Sequence, residues 1–211
     1  MVDPLGNETD IWVQGLYETE RLIYQGSNTG TLLATLDTCY NGAVVPCKTT
    51  AITPPVSNRT AQTTVLGLSP SKIYTTFNTY GLPTETDEYD YGPTLARKTM
   101  VTYVSPGNNI YDRPASIAIC KPGGTESACG GSGTLVGNRS YQYDSAGNML
   151  SASSSGQNMG TLARSYTYGS FGLVNTITDF NNAQTTYHYG TCNNTMHFQL
   201  ASACRSAFRS R

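Results

Sequence analysis

Three acids in the stretch TETDEYDYG are the residues best suited to chemistry. They are Asp87, Glu88 and Asp90, and they lie beside Tyr89 and Tyr91. Two carboxyl groups about 5–10 Å apart in a cleft can cleave a glycosidic bond. The same acids could bind Ca²⁺ or flank a sugar. An acidic group of this kind is more typical of a solvated hairpin end, which is the interpretation that we favour over a glycosidase.

The other residue types used in catalysis form no recognisable set. The chain has two histidines, His188 and His197, and they complete no metal-ligand pattern with the cysteines. It contains neither a GxSxG nucleophile elbow nor the P-loop and GxGxxG phosphate-binding motifs. We therefore expect no catalytic residue, no cofactor and no metal ion, and we expect that the chain is not an enzyme.

Aromatic side chains supply a second kind of candidate site. The chain has 15 Tyr but only 5 Phe and a single Trp, Trp12. An aromatic ring with a polar edge suits surfaces that are partly wet, and exposed rings can stack on sugars. A carbohydrate- or protein-binding β module that uses Trp12 and exposed tyrosines is therefore the alternative to a purely structural role.

The composition predicts an all-β fold and excludes two classes of partner. Tyr and Thr favour strands, whereas Gly, Asn and Pro favour turns. Only 13% of the residues are charged and the net charge is −1, although nucleic-acid binding depends on clustered Lys and Arg. No apolar run approaches the roughly 20 residues of a membrane helix. Residues 1–10 have neither the basic nor the apolar region of a signal peptide.

The stretch YQYDSAGN predicts a β-hairpin. Asp144 and Gly147 occupy the first and fourth positions of a type I turn, where Asp accepts backbone N–H bonds. Gly147 can take the left-handed conformation that closes a three-residue loop with a bulge. Tyr141 and Tyr143 then share one face of the incoming strand, because side chains alternate along a strand. We expect such tyrosines to pair across strands as aromatic ladders.

The same frame recurs along the chain. One copy has Asp, Pro and Gly at the expected turn positions, one has Asn in place of Asp, one keeps the paired tyrosines, and one is degenerate. Repetition at short spacings is typical of a repeat array. The copies contain Asp3 and Gly6; Asn78 and Gly81; Tyr166, Tyr168 and Gly172; and Asp179.

These stretches resemble the YD repeats of the RHS family, which includes bacterial RHS proteins, insecticidal toxin-complex proteins and the teneurins. The resemblance is carried by Tyr141–Leu150, Tyr166–Val174 and Asp3–Thr9. It implies tandem antiparallel hairpins that form a curved, spiralling sheet, of which this chain is an open fragment. It also implies a secreted or cell-surface shell that encloses a C-terminal domain, often a toxin. The expected partners are the rest of the array and that enclosed domain.

Two segments rich in Pro and Gly interrupt the repeats, near 39–60 and 105–133, and both read as long loops. Each contains a local cysteine pair, Cys39 with Cys47 and Cys120 with Cys129. We interpret these pairs as disulfides that close the loops, the alternative being free thiols in a reducing compartment. A third pair, Cys192 with Cys204, is less well supported.

The hairpin repeats extend over residues 1–190, and a different sequence follows them. Residues 191–211 lose the tyrosine alternation and contain three arginines without an acidic neighbour. A basic tail of this kind could dock on an acidic partner. We favour the alternative that this irregular segment is not native repeat sequence but the result of a shifted or prematurely ended reading frame.

Overall fold

The computed structural model describes residues 1–157 and 159–189. In this part of the chain the regular structure consists of thirteen β-strands and a short 3-10 helix, Ser127–Cys129, with no α-helix. Neighbouring strands are antiparallel, and their order in the sheet is their order in the sequence. The predicted all-β sheet of tandem hairpins is confirmed. No helix among the described residues is long and apolar enough to cross a membrane.

Most of the strands are between seven and ten residues long, and the last two are shorter. Along the chain they are β1 (Glu8–Gln14), β2 (Tyr17–Gln25), β3 (Thr31–Tyr40), β4 (Asn58–Val65), β5 (Ser71–Phe77), β6 (Pro83–Tyr89), β7 (Leu95–Val104), β8 (Arg113–Lys121), β9 (Thr134–Tyr143), β10 (Met149–Gly156), β11 (Met159–Tyr168), β12 (Val174–Thr178) and β13 (Gln184–Thr186).

The chain divides into two compact units. The first contains residues 1–102 and 118–136, and the second contains residues 103–117 and those from 137 onward. The disulfides and the charged side chains described below belong to the first unit, and the hairpins with paired tyrosines belong to the second. The predicted tail, 191–211, and the third cysteine pair lie outside the described residues.

The turn at Asp144 joins β9 to β10 and has the predicted geometry. The Gly147 N–H donates to the Asp144 carbonyl over 3.0 Å, and the Asp144 N–H donates to the Asn148 carbonyl over 2.9 Å. The Asp144 carboxylate accepts the backbone N–H groups of Ala146 and Asn148 and the side-chain amide of Asn148. These hydrogen bonds, led by that of the Asn148 side chain, lower the pKa of Asp144. Gly147 has a φ of 82°.

Four other turns share this backbone geometry. In each, the first residue accepts a backbone N–H bond from the fourth and donates its own N–H to the fifth. The side chain of the first residue also accepts two backbone N–H bonds where it is Asp or Asn. The fourth residue has a positive φ in every copy. The first and fourth residues are Asp3 and Gly6, Asn78 and Gly81, Gly169 and Gly172, and Asp179 and Asn182.

In the three Tyr-x-Tyr pairs of the second unit, the hydroxyl of the second tyrosine donates to a backbone carbonyl of an earlier strand. The hydroxyl of Tyr143 donates to the Pro114 carbonyl over 3.1 Å, and that of Tyr168 donates to the Met149 carbonyl over 2.8 Å. The hydroxyl of Tyr189 donates to the carbonyl at the start of β12 over 2.9 Å. Burial raises the pKa of Tyr143 and of Tyr168. The alternation of tyrosines in the sequence predicted aromatic ladders, and it gave no sign of these hydrogen bonds to the backbone.

Few apolar side chains are buried among the described residues. The first unit contains all of the buried residues, and none of them is Leu, Ile, Val, Met or aromatic. Ala118 and the Cys120–Cys129 disulfide form a small cluster, against which Met100 and Leu135 pack. The buried residues are Thr19, Asp37, Thr38, Cys39, Cys47, Thr75, Asp87, Lys98, Ala118, Cys120, Cys129 and Gly133.

Both predicted disulfides are present, Cys39–Cys47 and Cys120–Cys129. The segment 39–60 forms a loop from residue 41 to residue 57, between β3 and β4. The segment 105–133 is not the single long loop that the sequence predicted, because β8 occupies its middle. Strand β8 buries Ala118 and Cys120 at alternate positions, a period of two that the Pro and Gly residues on either side concealed.

Substitutions at Gly172 test the turn. We expect Gly172→Ala to lower the free energy of unfolding by about 1–2 kcal/mol, because φ is 71° and Ala disfavours the left-handed region. A Cβ at this position would meet no atom closer than 3.8 Å, so that the cost is one of backbone conformation. Gly172→Asn should cost less, since Asn182 has a φ of 61° in the same position of another copy. Urea denaturation measures the free energy of unfolding of both variants. Equal losses of stability would contradict the conclusion that the positive φ causes the effect.

Removal of one tyrosine hydroxyl tests the hydrogen bonds to the backbone. We expect Tyr168→Phe to lower the free energy of unfolding by about 1 kcal/mol, because the Met149 carbonyl loses its donor. Tyr166→Phe is the matched control, since its hydroxyl has no hydrogen bond with the described residues and lies two positions earlier on the same strand. Urea denaturation of both variants measures the difference, and an equal effect would refute the proposed role of Tyr168.

Candidate functional site

The strand register places a set of charged and aromatic residues on one face of the first unit. Residues directly opposite each other on neighbouring strands share a face, as do residues two apart on one strand. We call this the charged face. Its first row is Trp12, Glu20, Asp37, Gln62, Lys72 and Tyr89, and its second row is Cys39, Thr60, Tyr74, Asp87 and Lys98.

The Cys39–Cys47 disulfide holds a lysine over one end of the charged face. Lys48 follows Cys47, and its ammonium lies 2.7 Å from Glu20 Oε2 and 3.7 Å from the ring centre of Trp12. The Gln14 side chain donates to the carbonyls of Lys48 and of Thr50 in the same loop. The loop between β3 and β4, which the disulfide anchors, therefore supplies a cation to carboxylates that the strands provide.

Asp37 lies directly opposite Glu20 and is only 6% exposed. Burial raises the pKa of Asp37, and the neighbouring Glu20 carboxylate raises it further, whereas Lys48 partly offsets both effects. Two carboxylates thus share one lysine in a poorly solvated place. Such an arrangement favours the neutral form of one acid.

A second group of the same composition lies at the other end of the charged face. The Lys98 ammonium is 2.6 Å from Glu85 Oε1 and 3.6 Å from Asp87 Oδ1. Asp87 lies opposite Lys98 in the register, and Glu85 is two residues earlier on β6. Ser132, in the segment after the Cys120–Cys129 disulfide, has its hydroxyl 3.4 Å from the Lys98 nitrogen. The segment that follows this disulfide thus approaches a lysine as well.

Asp87 and Lys98 are almost completely buried, at 8% and 9% exposure, and Asp87 Oδ1 accepts no hydrogen bond. Burial raises the pKa of Asp87, Lys98 lowers it in part, and Glu85 raises it again. Burial lowers the pKa of Lys98, but the hydrogen bond to Glu85 and the charge of Asp87 raise it by more. Burial and the nearby Asp87 also raise the pKa of Tyr89.

The three acids proposed from the sequence do not form one site. Asp87 and Glu88 are consecutive in β6 and lie on opposite faces of the sheet. Glu88 makes a forked ion pair with Arg97 at 2.6 and 2.7 Å, and Asp90 is exposed and accepts the Tyr91 N–H. The interpretation as a solvated hairpin end is wrong for Asp87, because the Lys98 side chain and burial remove it from solvent.

Trp12 is 46% exposed, while the Lys48 ammonium lies over its ring.

Glu20, Asp37, Lys48, Glu85 and Lys98 were not identified from the sequence. The alternation of Glu85, Asp87 and Tyr89 along β6 was the available signal, since it places them on one face. Within residues 1–157 and 159–189, no group of three His, Cys, Asp or Glu side chains could hold a metal ion.

Comparisons with known proteins place the chain in no family. No family model matches the sequence, and no curated protein matches it. Among solved structures, the crystal structure of TcdB2-TccC3-Cdc42 aligns with 81% of this chain at 13% identity and a TM-score of 0.20. This chain spans 13% of the length of the matched chain. A similarity of this size does not establish a shared fold.

The acid pair Glu20 and Asp37 predicts a specific dependence of stability on pH. Folding raises the pKa of Asp37, so the folded chain binds this proton more tightly than the unfolded chain. The contribution of Asp37 to stability should therefore increase as the pH falls from neutral through the raised pKa toward 3.8, its ordinary value. We expect Asp37→Asn to lack this increase and to be at least as stable as the wild type at neutral pH.

Urea denaturation between about pH 4 and 7 measures this difference. Asp90→Asn removes one carboxylate at an exposed position and serves as the control. Parallel pH profiles for the wild type and Asp37→Asn would contradict the prediction.

Proposed function

We propose that this chain is a structural segment of an RHS-type hairpin array, without catalysis of its own. In this role it contributes to a shell or cell-surface scaffold that encloses or presents a C-terminal domain. The observation that carries the proposal is the recurrence of one hydrogen-bonded turn at five places, four of which join consecutive strands of a sheet whose strands follow one another in sequence. An array of this kind is extended by adding hairpins, because each one contacts its neighbours only.

The pattern of burial supports an assembly larger than the chain. A sheet is normally stabilised by packing one face against another layer, and the described residues bury no large aliphatic side chain. Further hairpins of the array, or a domain enclosed by it, are the partners that would cover such a sheet. We propose these two partners, as the resemblance to YD repeats implies.

The disulfides support a place outside the reducing cytoplasm. Cys39–Cys47 and Cys120–Cys129 each close a loop within the first unit, and such bonds persist in oxidising compartments. We propose that the protein of which this segment forms a part is secreted or displayed at the cell surface.

Carbohydrate binding is the second candidate, and the exposure of Trp12 is the observation that favours it. Tyr80 and Tyr91, each 58% exposed, could supply further rings for stacking. A glycosidase that uses Asp87 with Glu88 is disfavoured, because the two carboxylates lie on opposite faces of β6.

Sequencing the source DNA through both ends of this reading frame tests the scaffold. We expect further Tyr-x-Tyr-Asp-x-x-Gly frames upstream, and downstream in the same or a shifted frame, followed by a different domain. A reading frame without further repeats on either side would refute a shell segment and would favour an independent binding module.

Titration with a panel of polysaccharides tests the second candidate directly. If the exposed aromatic side chains bind sugar, the wild type should bind and Trp12→Ala should lose at least tenfold in affinity. Tyr91→Ala separately tests the contribution of an exposed tyrosine. The scaffold proposal predicts no saturable binding by any of the three proteins. Circular dichroism of each variant shows whether its sheet is intact.

A further inference from the structure

The group formed by Lys98, Glu85 and Asp87 contains the components of a condensation reaction between side chains. The Lys98 nitrogen is 3.6 Å from an oxygen of Asp87 and 2.6 Å from an oxygen of Glu85. We propose that Lys98 and Asp87 form an intramolecular amide bond that links β7 to β6, with Glu85 as the group that transfers the protons. The bond is a covalent modification of the chain itself, and it requires no external reactant.

The reaction balances with water as its only other product. The Lys98 ammonium passes a proton through Glu85 to the Asp87 carboxylate, which gives an amine and a carboxylic acid. The amine lone pair attacks the carboxyl carbon of Asp87. A second proton moves from the nitrogen through Glu85 to the Asp87 hydroxyl, the carbon–oxygen bond breaks, and water leaves. An ammonium and a carboxylate thus become an amide and water, and Glu85 ends as it began.

The positions of the two acids decide which of them reacts. Asp87 is directly opposite Lys98 on the neighbouring strand, so the strand pairing holds the two side chains together. Its Oδ1 is buried without a hydrogen bond, and burial raises its pKa toward the acid form that can lose water. Glu85 has the shorter contact with the amine and a more exposed side chain, at 27% against 12%. These properties suit an acid that exchanges protons.

The surroundings limit the access of water, which would otherwise compete with the amine. Lys98 is 9% exposed, and the hydroxyl of Ser132, three residues after Cys129, lies 3.4 Å from its nitrogen. Met100, the next residue on the same face of β7, packs against the Cys120–Cys129 cluster. The Cys120–Cys129 cluster and the residues that follow it therefore lie beside the reacting groups.

Lys48 provides an internal comparison for this reaction. Its ammonium is 2.7 Å from Glu20 but lies over the Trp12 ring, and its side chain is 32% exposed against 11% for Lys98. Among the described residues, Glu20 is the only carboxylate within ion-pair distance of Lys48, whereas Lys98 has both Asp87 and Glu85, so that Lys48 lacks a second acid to transfer the protons. We therefore expect the amide bond at Lys98 and not at Lys48.

Intact-mass measurement of the purified full chain, after reduction and alkylation of its cysteines, tests the proposal. We expect a mass lower than that calculated from the sequence by one water. Fragment spectra of a digest should contain a branched peptide that joins β6 to β7 through Lys98. A chain that has a β-sheet spectrum by circular dichroism but retains its full mass after prolonged incubation would overturn the proposal.

Four variants assign the roles of the residues. Lys98→Arg and Glu85→Gln should keep their full mass, whereas the control Lys48→Arg should still lose one water. The mass of Asp87→Asn should either fall by that of one ammonia, released if Lys98 condenses with the asparagine amide, or stay at its full value. Loss of water by Asp87→Asn would show that Glu85 is the acylated residue, and loss of water by Lys98→Arg would show that the change is an unrelated dehydration. Either result would overturn the assignment, and circular dichroism establishes that each variant is folded.

Discussion

The small amount of buried apolar surface is the constraint on which the rest of this structure depends. Hydrophobic burial is normally the main favourable contribution to folding, yet the buried residues described in the first unit are cysteines, threonines, one alanine, one glycine, Asp37 and the ion pair of Asp87 with Lys98. Stability must therefore come from strand hydrogen bonds, disulfides and side chains that fix the turns. Each of these contributions is local or joins adjacent strands, which suits a sheet that is extended hairpin by hairpin.

The hairpins show how such a sheet limits the entropy that folding must overcome. An Asp or Asn at the first turn position satisfies two backbone N–H groups of its own turn. A tyrosine then ties the end of one strand to the start of the strand before it. These interactions need no distant part of the chain, so that a similar hairpin can recur with different intervening residues.

The segments that follow the two disulfides have a common role in the first unit. One supplies Lys48 to Glu20, and the other brings Ser132 to Lys98. In both places two carboxylates and one lysine occupy a sheet surface that would otherwise be open to water. Burial of charges is costly unless they are paired, and the segments lie beside these groups where an aliphatic core is missing. An amide bond at Lys98 would replace one such ion pair by a neutral link.

The sequence by itself determined the features that depend on residues close together in the chain. It predicted the turns at Asp144 and Asp3 and both disulfides, because a type I turn and a short loop between two cysteines, at sequence separations of 8 and 9, are set by local spacing. Strand β8 and the charged face were decided by tertiary structure. The strand pairing places Asp87 opposite Lys98 and Asp37 opposite Glu20, and the same alternation separates Asp87 from Glu88. Register between strands depends on all the hairpins together, so only the folded sheet could show which charges meet.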